Sequence, residues 1–553
     1  MQQPVLILGA GINGAAIARE LLLNRCPVCL VDTADLASGT TAASSRLIHG
    51  GLRYLEFGEL GLVRESLAER RRLLNAAPHL VRPLRLYIPI TNRGGGIGQA
   101  IKRVLGITGR QTQTRRGLWL VQLGLWLYDL CAGVDSLEKR ATWSVQQAGL
   151  PVDDQEYRWL CSYMDAQVAF PERLVVALLR DCERLAGRSG VPFELFNYCQ
   201  VRRRGATIEV SSASGQVAAE LRPAAIVNAT GAWLDGTLQQ LNVSSPRLLG
   251  GTKGSHLLTF NEPLRHALAG RGIYAEAEDG RPVFVLPLGA GTLVGTTDVV
   301  YEAPPETAIA SEGELQYLLS TVNSLIPEAN LTRRDVHLHY SGVRPLPYAG
   351  DTRPAAITRR HFLHEHMGQQ PPMYSVVGGK LTTCRSLAEQ LSSQVLPRIG
   401  RSVEANSRQR LLPGAEDLPA SSAELAEQQH QIADELGLSP AQVQAVWALC
   451  GTETSKVLEV STDTDRHNLA GTELPVAFVR QVIQQEWVRC LNDLVERRLM
   501  LLYDPGLRRS TLRQLATLLV EAGVIEPDQA AGQVSDGCQR LATQFGKQLV
   551  DDE

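Results

Sequence analysis

Residues 5–32, VLILGAGINGAAIARELLLNRCPVCLVD, constrain the fold more than any other stretch of this 553-residue chain. Val5 to Leu8 form a short apolar run that fits a buried strand, and Gly9, Gly11 and Gly14 follow in G-x-G-x-x-G spacing. The pattern predicts a helix from about Ile12 to Asn24 and a second strand, 28–31, that ends at Asp32. Each part has a mechanical reason. Gly9 allows the tight turn, Gly11 admits a pyrophosphate against the backbone, and Gly14 lets helix and strand pack closely. The helix start, near Asn13, offers unpaired N–H groups and partial positive charge to phosphates. Asp32 lies 21 positions beyond Gly11, where a carboxylate can accept ribose hydroxyl hydrogens. The unit implies a dinucleotide, NAD or FAD.

The rest of the chain favours FAD. Flavoproteins of this build return to the nucleotide domain late, and two stretches read as returns. AAIVNATGAWLDG, residues 224–236, reads as a buried strand ending in Gly231 and Trp233. MYSVVGGKLTTCRSLAEQL, residues 373–391, reads as a strand, then Gly378-Gly379, then a helix carrying Lys380 in its first turn. The positive end of that helix would face a ring that gains negative charge on reduction. A lysine there opposes the helix dipole, so something anionic should compensate it.

A fourth stretch, SSRLIHGGLRYLEFG at 44–58, sets cations, paired glycines and large apolar groups side by side. With it in place, the chain resembles the FAD-dependent glycerol-3-phosphate dehydrogenase family, of the aerobic, quinone-linked type. The runs that carry the resemblance are LILGAGINGAAIARE, DLASGTTAASSRLIHGGLRYLE, VNATGAW, GTKGSH, VGTTD, SGVRPL and VVGGKLTT, in the family's order over most of residues 1–395. Three features depart from the pattern. Asp32 replaces the usual glutamate, two alanines interrupt the serine-rich run before Arg46, and Cys384 stands where tyrosine is common. A covalent flavin link at Cys384 is less favoured than a small buried residue, so the implied FAD is non-covalent.

The resemblance implies a site. Ser44, Ser45 and Arg46 would hydrogen-bond the flavin or its diphosphate. His49, Gly50 and Gly51 would let the backbone pass close to the ring, where a Cβ would clash. Gly379, Lys380, Leu381 and Thr382 would complete the cofactor's surroundings. Arg53, Tyr54, Arg344, Arg359 and Lys380 would hold the substrate, since arginine's fork matches phosphate oxygens. His256 would take the C2 hydroxyl proton as the hydride leaves C2 for flavin N5, because a neutral imidazole is available at pH 7 and arginine is a poor base. Arg344 would stabilise the developing alkoxide. Four cations suit a phosphate dianion better than the carboxylate of another hydroxy acid or of an amine substrate. A non-catalytic FAD-binding scaffold would have little use for Arg53, His256, Arg344 and Lys380 together.

The implied fold is α/β. A Rossmann-type FAD-binding domain (1–85, 160–235, 341–398) interleaves with a β-rich substrate domain (86–159, 236–340), and a C-terminal helical domain (411–553) opens with a Pro/Ser linker at 411–422. Within the last domain, helical spacing predicts helices near 423–437, 440–450, 474–503, 510–522 and 527–547. Capping, homodimer formation and membrane contact all fit it. The net charge of −3 shows no basic field for nucleic acid. The ten cysteines and the absence of a leader pattern suggest free thiols in the cytoplasm. Cys26 and Cys29 enter a strand, where a redox dithiol would open a helix. HFLHEH, at 361–366, lacks a fourth metal ligand at familiar spacing and reads as a hairpin with solvated histidines; no metal is expected. The apolar stretch 117–133 reads as a buried helix, or as an interfacial one led in by the basic run RQTQTRRG at 110–117. The second reading suits a peripheral enzyme that passes electrons to quinone, with oxygen as the rival acceptor.

Overall fold

Val5–Leu8 is at most 3% exposed, which places it in the middle of a sheet covered on both faces. The computed structural model describes residues 3–94, 117–133, 137–350, 359–458 and 462–549. Val5–Leu8 pairs in parallel with Val28–Val31 on one side and Ala225–Asn228 on the other. Phe193–Phe196 and Met373–Val377 extend the parallel order outward, and Phe362–Glu365 adds an antiparallel edge. The helix Ile12–Leu23 covers one face together with Pro171–Ser189 and Cys384–Arg398. A three-stranded sheet spanning Cys199–Leu221 covers the other, with Val201, Ile208 and Val210 packed on Leu6 and Val31.

The second body is a ten-stranded mixed sheet among the described residues. Its longest pairings are Leu249–Thr259 with Leu338–Pro347, and Val81–Ile90 with Trp159–Val168. These pairings move the expected domain boundaries. Strands at 81–90, 159–168 and 338–347 belong largely to the substrate sheet, although sequence reading divided them at 85, 160 and 341. The reason is hydrogen bonding: Val81 to Ile90 run opposite Val168 to Trp159 without a break. The helix Glu312–Leu325 backs this sheet.

The C-terminal region is helical, but the long helix expected at 474–503 is broken. It divides into Val476–Gln485, then Leu491–Asp493 running into one π turn at Leu494–Arg498, then a 3-10 turn at Leu501–Tyr503. Trp487 and Met500 have φ of 54° and 57°, which interrupts the helical hydrogen-bond ladder. The expected linker is also packed rather than free. Gly414 lies so close to Gly451 and His79 that a Cβ would fall 2.2 Å from the Cys450 carbonyl oxygen. Buried ion pairs fasten this region to the nucleotide domain: Arg498 to Asp35 at 2.7 Å, Arg497 to the same carboxylate, and Arg173 to Glu486 at 2.6 Å. Removing one partner from such a pair would strand a buried charge.

HFLHEH forms the expected hairpin, but two of its histidines are buried rather than solvated. His361 meets Gln390 at 3.0 Å and His366 meets Ser375 at 2.8 Å. Cys26 and Cys29 are buried, and burial pushes their thiols up to about 11 and about 12. Cys384 is buried at the start of its helix, its thiol likewise pushed up to about 12.

Candidate functional site

A single cavity of ~1920 Å³ runs from the glycine turn, between the two sheets, to the face of the large sheet. Its nucleotide end follows from local backbone geometry. Gly9 has φ of +100°, and a Cβ there would meet the Ala229 carbonyl oxygen at 2.7 Å. A Cβ on Gly14 would lie 1.8 Å from the Gly9 carbonyl oxygen, so this residue serves helix–turn packing and does not line the cavity. Gly11 and Asn13 do line it, and Asn13 Oδ1 is buried without a partner. Asp32 accepts from the N–H of Ala10 at 2.7 Å and of Ala34 at 2.9 Å. These bonds fix the carboxylate at the cavity wall, and its remaining lone pairs can accept from a ribose. Thr41, which the sequence reading overlooked, accepts from the N–H of Ile12 at 3.1 Å and so caps the helix start.

The middle of the cavity is built by two loops. In the first, Ser44, Ser45, His49 and Gly51 face the cavity. Gly50 does not: its N–H donates to Tyr128, and a Cβ would strike that hydroxyl at 2.5 Å and Leu67 at 2.6 Å. Its smallness serves packing against helices rather than a ring. In the second loop Gly379, Lys380, Leu381 and Thr382 face the cavity, and Thr382 Oγ1 accepts from the His49 N–H at 3.0 Å, joining the two loops. Lys380 lies ahead of the helix, which begins at Cys384, and not in its first turn. Gly231 and Trp233 form the adjoining wall, and the Trp233 ring covers Gly39.

Two of the expected cofactor contacts also have partners within the protein. Arg46 is fully buried, and its two terminal nitrogens are taken up by Glu172, the carbonyls of Ala42 and Ala169, and the Tyr503 hydroxyl. Its guanidinium forms an ion pair within the cavity wall, because Glu172 offers it a two-point partner at the start of Pro171–Ser189. Ser45 Oγ meets His256 Nε2 at 2.9 Å, which makes it a partner of that histidine.

At the far end, strand pairing decides the geometry. His256 sits on Leu249–Thr259, between Tyr340 of one neighbouring strand and Gly295 of the other. A Cβ on Gly295 would lie 2.1 Å from the imidazole, so glycine makes the ring's slot. Tyr340 stacks on the imidazole at 4.9 Å and 21°. His256 Nδ1 is buried without a partner. Burial first, then the charges of Arg344 and Arg46, push this histidine down to about 3, so it is neutral at physiological pH.

Arg344 lines the cavity with its donors largely engaged. Nη1 bonds Thr252 and Asp298, and Nη2 bonds Thr296 and the Thr297 carbonyl. Arg359 stands 3.7 Å from the other oxygen of Asp298. The sequence reading assigned no role to this acidic partner or to Glu314, a second organiser. Glu314 accepts from Ser255 and Thr297, each at 2.8 Å, and pairs with Lys253. It thus holds the residue before His256 and the residue whose carbonyl anchors Arg344. Nothing in the linear spacing joins 255, 297 and 314.

Arg53, Tyr54 and Lys380 complete the pocket. Lys380 Nζ is buried without a hydrogen-bond partner, 3.9 Å above the Tyr54 ring, and Arg53 Nε is likewise unpartnered. Burial pushes Lys380 down to about 7, with Arg359 adding to the fall and Glu59 opposing it. Unpaired cationic donors facing one cavity are the arrangement that an anion would complete. If Lys380 serves that purpose, the KM for a phosphate substrate rises as pH climbs through about 7, because the lysine then loses its charge. In Lys380→Arg the charge persists, and that rise should flatten. Steady-state kinetics between pH 6 and 9 would show whether it does.

The orphaned Asn13 Oδ1, the helix start at the cavity-lining Gly11, the fixed Asp32 and the unpartnered Lys380 fit an adenine dinucleotide carrying a ring that becomes anionic. Comparison with known proteins agrees. The family described as FAD dependent oxidoreductase (DAO) matches residues 4–385. The chain is 34% identical over 443 residues to a glycerol-3-phosphate dehydrogenase of Synechocystis, covering 75% of this chain and 74% of the relative. It is 32% identical over 508 residues to a D-erythritol 1-phosphate dehydrogenase of Brucella abortus, covering 89% and 93%. In fold it is similar to the glycerol-3-phosphate dehydrogenase from Bacillus halodurans complexed with FAD. That likeness has a TM-score of 0.72 at 20% identity and covers 100% of this chain and 97% of the other.

Proposed function

Since the chain belongs to the FAD-dependent glycerol-3-phosphate dehydrogenase family of FAD-dependent oxidoreductases, we propose that it oxidises sn-glycerol 3-phosphate to dihydroxyacetone phosphate and passes the electrons to a membrane quinone. The observation that carries this reading is the pocket in which Arg53, Lys380, Arg344 and Arg359 face the same space as a neutral His256. FAD, when bound, supplies the acceptor for the hydride that leaves C2. The chain's residues do the rest. Arg53, Lys380 and Arg359 hold the phosphate. His256 takes the C2 hydroxyl proton, with Ser45 and Tyr340 fixing its ring. Arg344, itself fixed by Asp298, Thr252, Thr296 and Thr297, lends charge to the oxygen that loses the proton.

Anaerobic titration tests the substrate. Glycerol 3-phosphate should bleach the oxidised flavin band rapidly. D-erythritol 1-phosphate is the comparison compound, given the Brucella relative. Bleaching by the tetritol phosphate alone would replace the substrate, and bleaching by neither would overturn the phosphate reading.

The acceptor reading draws on the helix Leu118–Ala132. It is apolar on two faces. Leu118, Val121, Leu125 and Tyr128 are buried, whereas Trp119, Leu123, Trp126 and Leu130 are 62, 54, 49 and 62% exposed. Of the two expectations, a buried helix describes one side of it and an interfacial helix suits the other, because the core is reached only every third or fourth residue. Trp119 and Leu123 also line the cavity, so the exposed stripe borders its entrance. A stripe of this kind suits the headgroup boundary of a bilayer, where a quinone would be at hand. The basic run at 110–117 lies, except for Gly117, outside the described residues. No helix among the described residues is long and apolar enough to cross a membrane, so the contact proposed is peripheral, at the cytoplasmic face. Trp126→Asp with Leu130→Asp, both outside the cavity lining, should abolish co-flotation with anionic liposomes and slow quinone reduction while leaving anaerobic bleaching intact. Unchanged flotation would remove this helix from the membrane contact.

A further inference from the structure

The C-terminal helical domain contributes several residues to the wall of the catalytic cavity, among them Tyr503. Tyr503 ends the turn Leu501–Tyr503, directly after the left-handed Met500. Lys547 straddles its backbone: the buried Nζ donates to the carbonyl of Leu502 at 2.8 Å and of Asp504 at 2.6 Å. The Tyr503 hydroxyl accepts from Arg46, whose guanidinium lies 4.3 Å over the ring. The ring also meets Tyr340 edge-on, at 6.4 Å and 89°. Tyr340 is the residue stacked on His256, and its hydroxyl donates to the Ser44 carbonyl at 3.0 Å, beside the serine that meets His256 Nε2.

We propose that Tyr503, latched by Lys547, is a positioning residue for His256, holding the imidazole in register through Tyr340 and Arg46. The proposal rests on His256 acting as the base. Its physical basis is that His256 has one hydrogen-bonded nitrogen and one unpartnered one. A single bond leaves a ring free to tilt, so the stacked face of Tyr340 sets its plane. Tyr340 in turn is backed by Tyr503 and by Arg46, whose guanidinium lies 5.8 Å over its ring. Small displacements of a catalytic group are costly even when the change lies away from the chemistry. This arrangement gives the C-terminal domain a part in the reaction through the packing behind the base.

The test uses the full-length holoenzyme. Tyr503→Ala should lower kcat by roughly 10- to 100-fold, with KM and FAD content close to wild type. Tyr503→Phe keeps the ring that backs Tyr340 and should restore most of kcat, which a lost hydroxyl function would not. Lys547→Met, outside the cavity lining, should move kcat in the same direction by less. It decides the matter if Tyr503→Ala does not fold. Nitrogen-15 NMR of the imidazoles gives a readout apart from turnover: the His256 resonance should broaden in Tyr503→Ala and sharpen in Tyr503→Phe. Wild-type kcat in Tyr503→Ala beside an inactive His256→Asn would overturn the latch and keep the base. An active His256→Asn would overturn the base and the latch with it.

Discussion

Replacing His256 by Asn lowers kcat by about 10²- to 10⁴-fold, the usual contribution of a positioned general base, and leaves FAD content unchanged. The separation is expected because His256 stands on the substrate sheet, on the strand Leu249–Thr259, whereas the glycine turn stands on the nucleotide sheet. Asn keeps the polarity and approximate size at the Ser45 contact but cannot take the proton. The pH dependence follows from the imidazole's surroundings. An ordinary histidine base would lose half its activity near pH ~6.5 as it protonates. His256 is pushed down to about 3, so it stays neutral throughout the mildly acid range. Wild-type kcat should therefore show no histidine-like acid limb between pH 5 and 7. Single-turnover bleaching across that range would reveal one if the imidazole were ordinary, and a fully active His256→Asn would place the base elsewhere.

Gly14→Val yields a colourless protein. The valine Cβ would lie 1.8 Å from the Gly9 carbonyl oxygen and 3.6 Å from Ile7. Backbone, not a flexible side-chain tip, stands in its way, so the helix Ile12–Leu23 must move off the turn. That shift costs about 1–3 kcal/mol in packing and carries the helix N-terminus away from the place where the pyrophosphate would sit. Loss of FAD should exceed loss of fold, since the core of the sheet is formed by Val5, Ile7, Val28 and Leu30 and does not include Gly14. Absorbance at the flavin band against total protein, with circular dichroism as the control for folding, measures both. A folded variant with full FAD content would mean that the turn tolerates displacement and that the motif's spacing is not what holds the cofactor.

The linear motif by itself determined the nucleotide end. Gly9, Gly11, Gly14 and Asp32 lie within one βαβ unit, where the geometry follows from dihedral freedom, strand alternation and helix start. Short range made it readable. The far end was named only through resemblance, since Arg53, His256, Arg344 and Lys380 are separated by long intervals and no local rule brings them together. Tertiary structure decided what those residues touch. Arg46, adjacent in sequence to the cavity-lining Ser45, turns inward because Glu172 waits there on another element. Gly50 proves to be a packing glycine, because Tyr128 and Leu67 press on it from two helices. Glu314 and Tyr503 carry no sequence signature as organisers, and Asp298, which ends VGTTD, was given no role by that run. Each acts by meeting a partner on a different strand or domain, and such meetings arise only when the sheets are paired and the C-terminal region is docked by its buried ion pairs. Composition and periodicity report on neighbours along the chain, and the chemistry of this pocket depends on neighbours across it.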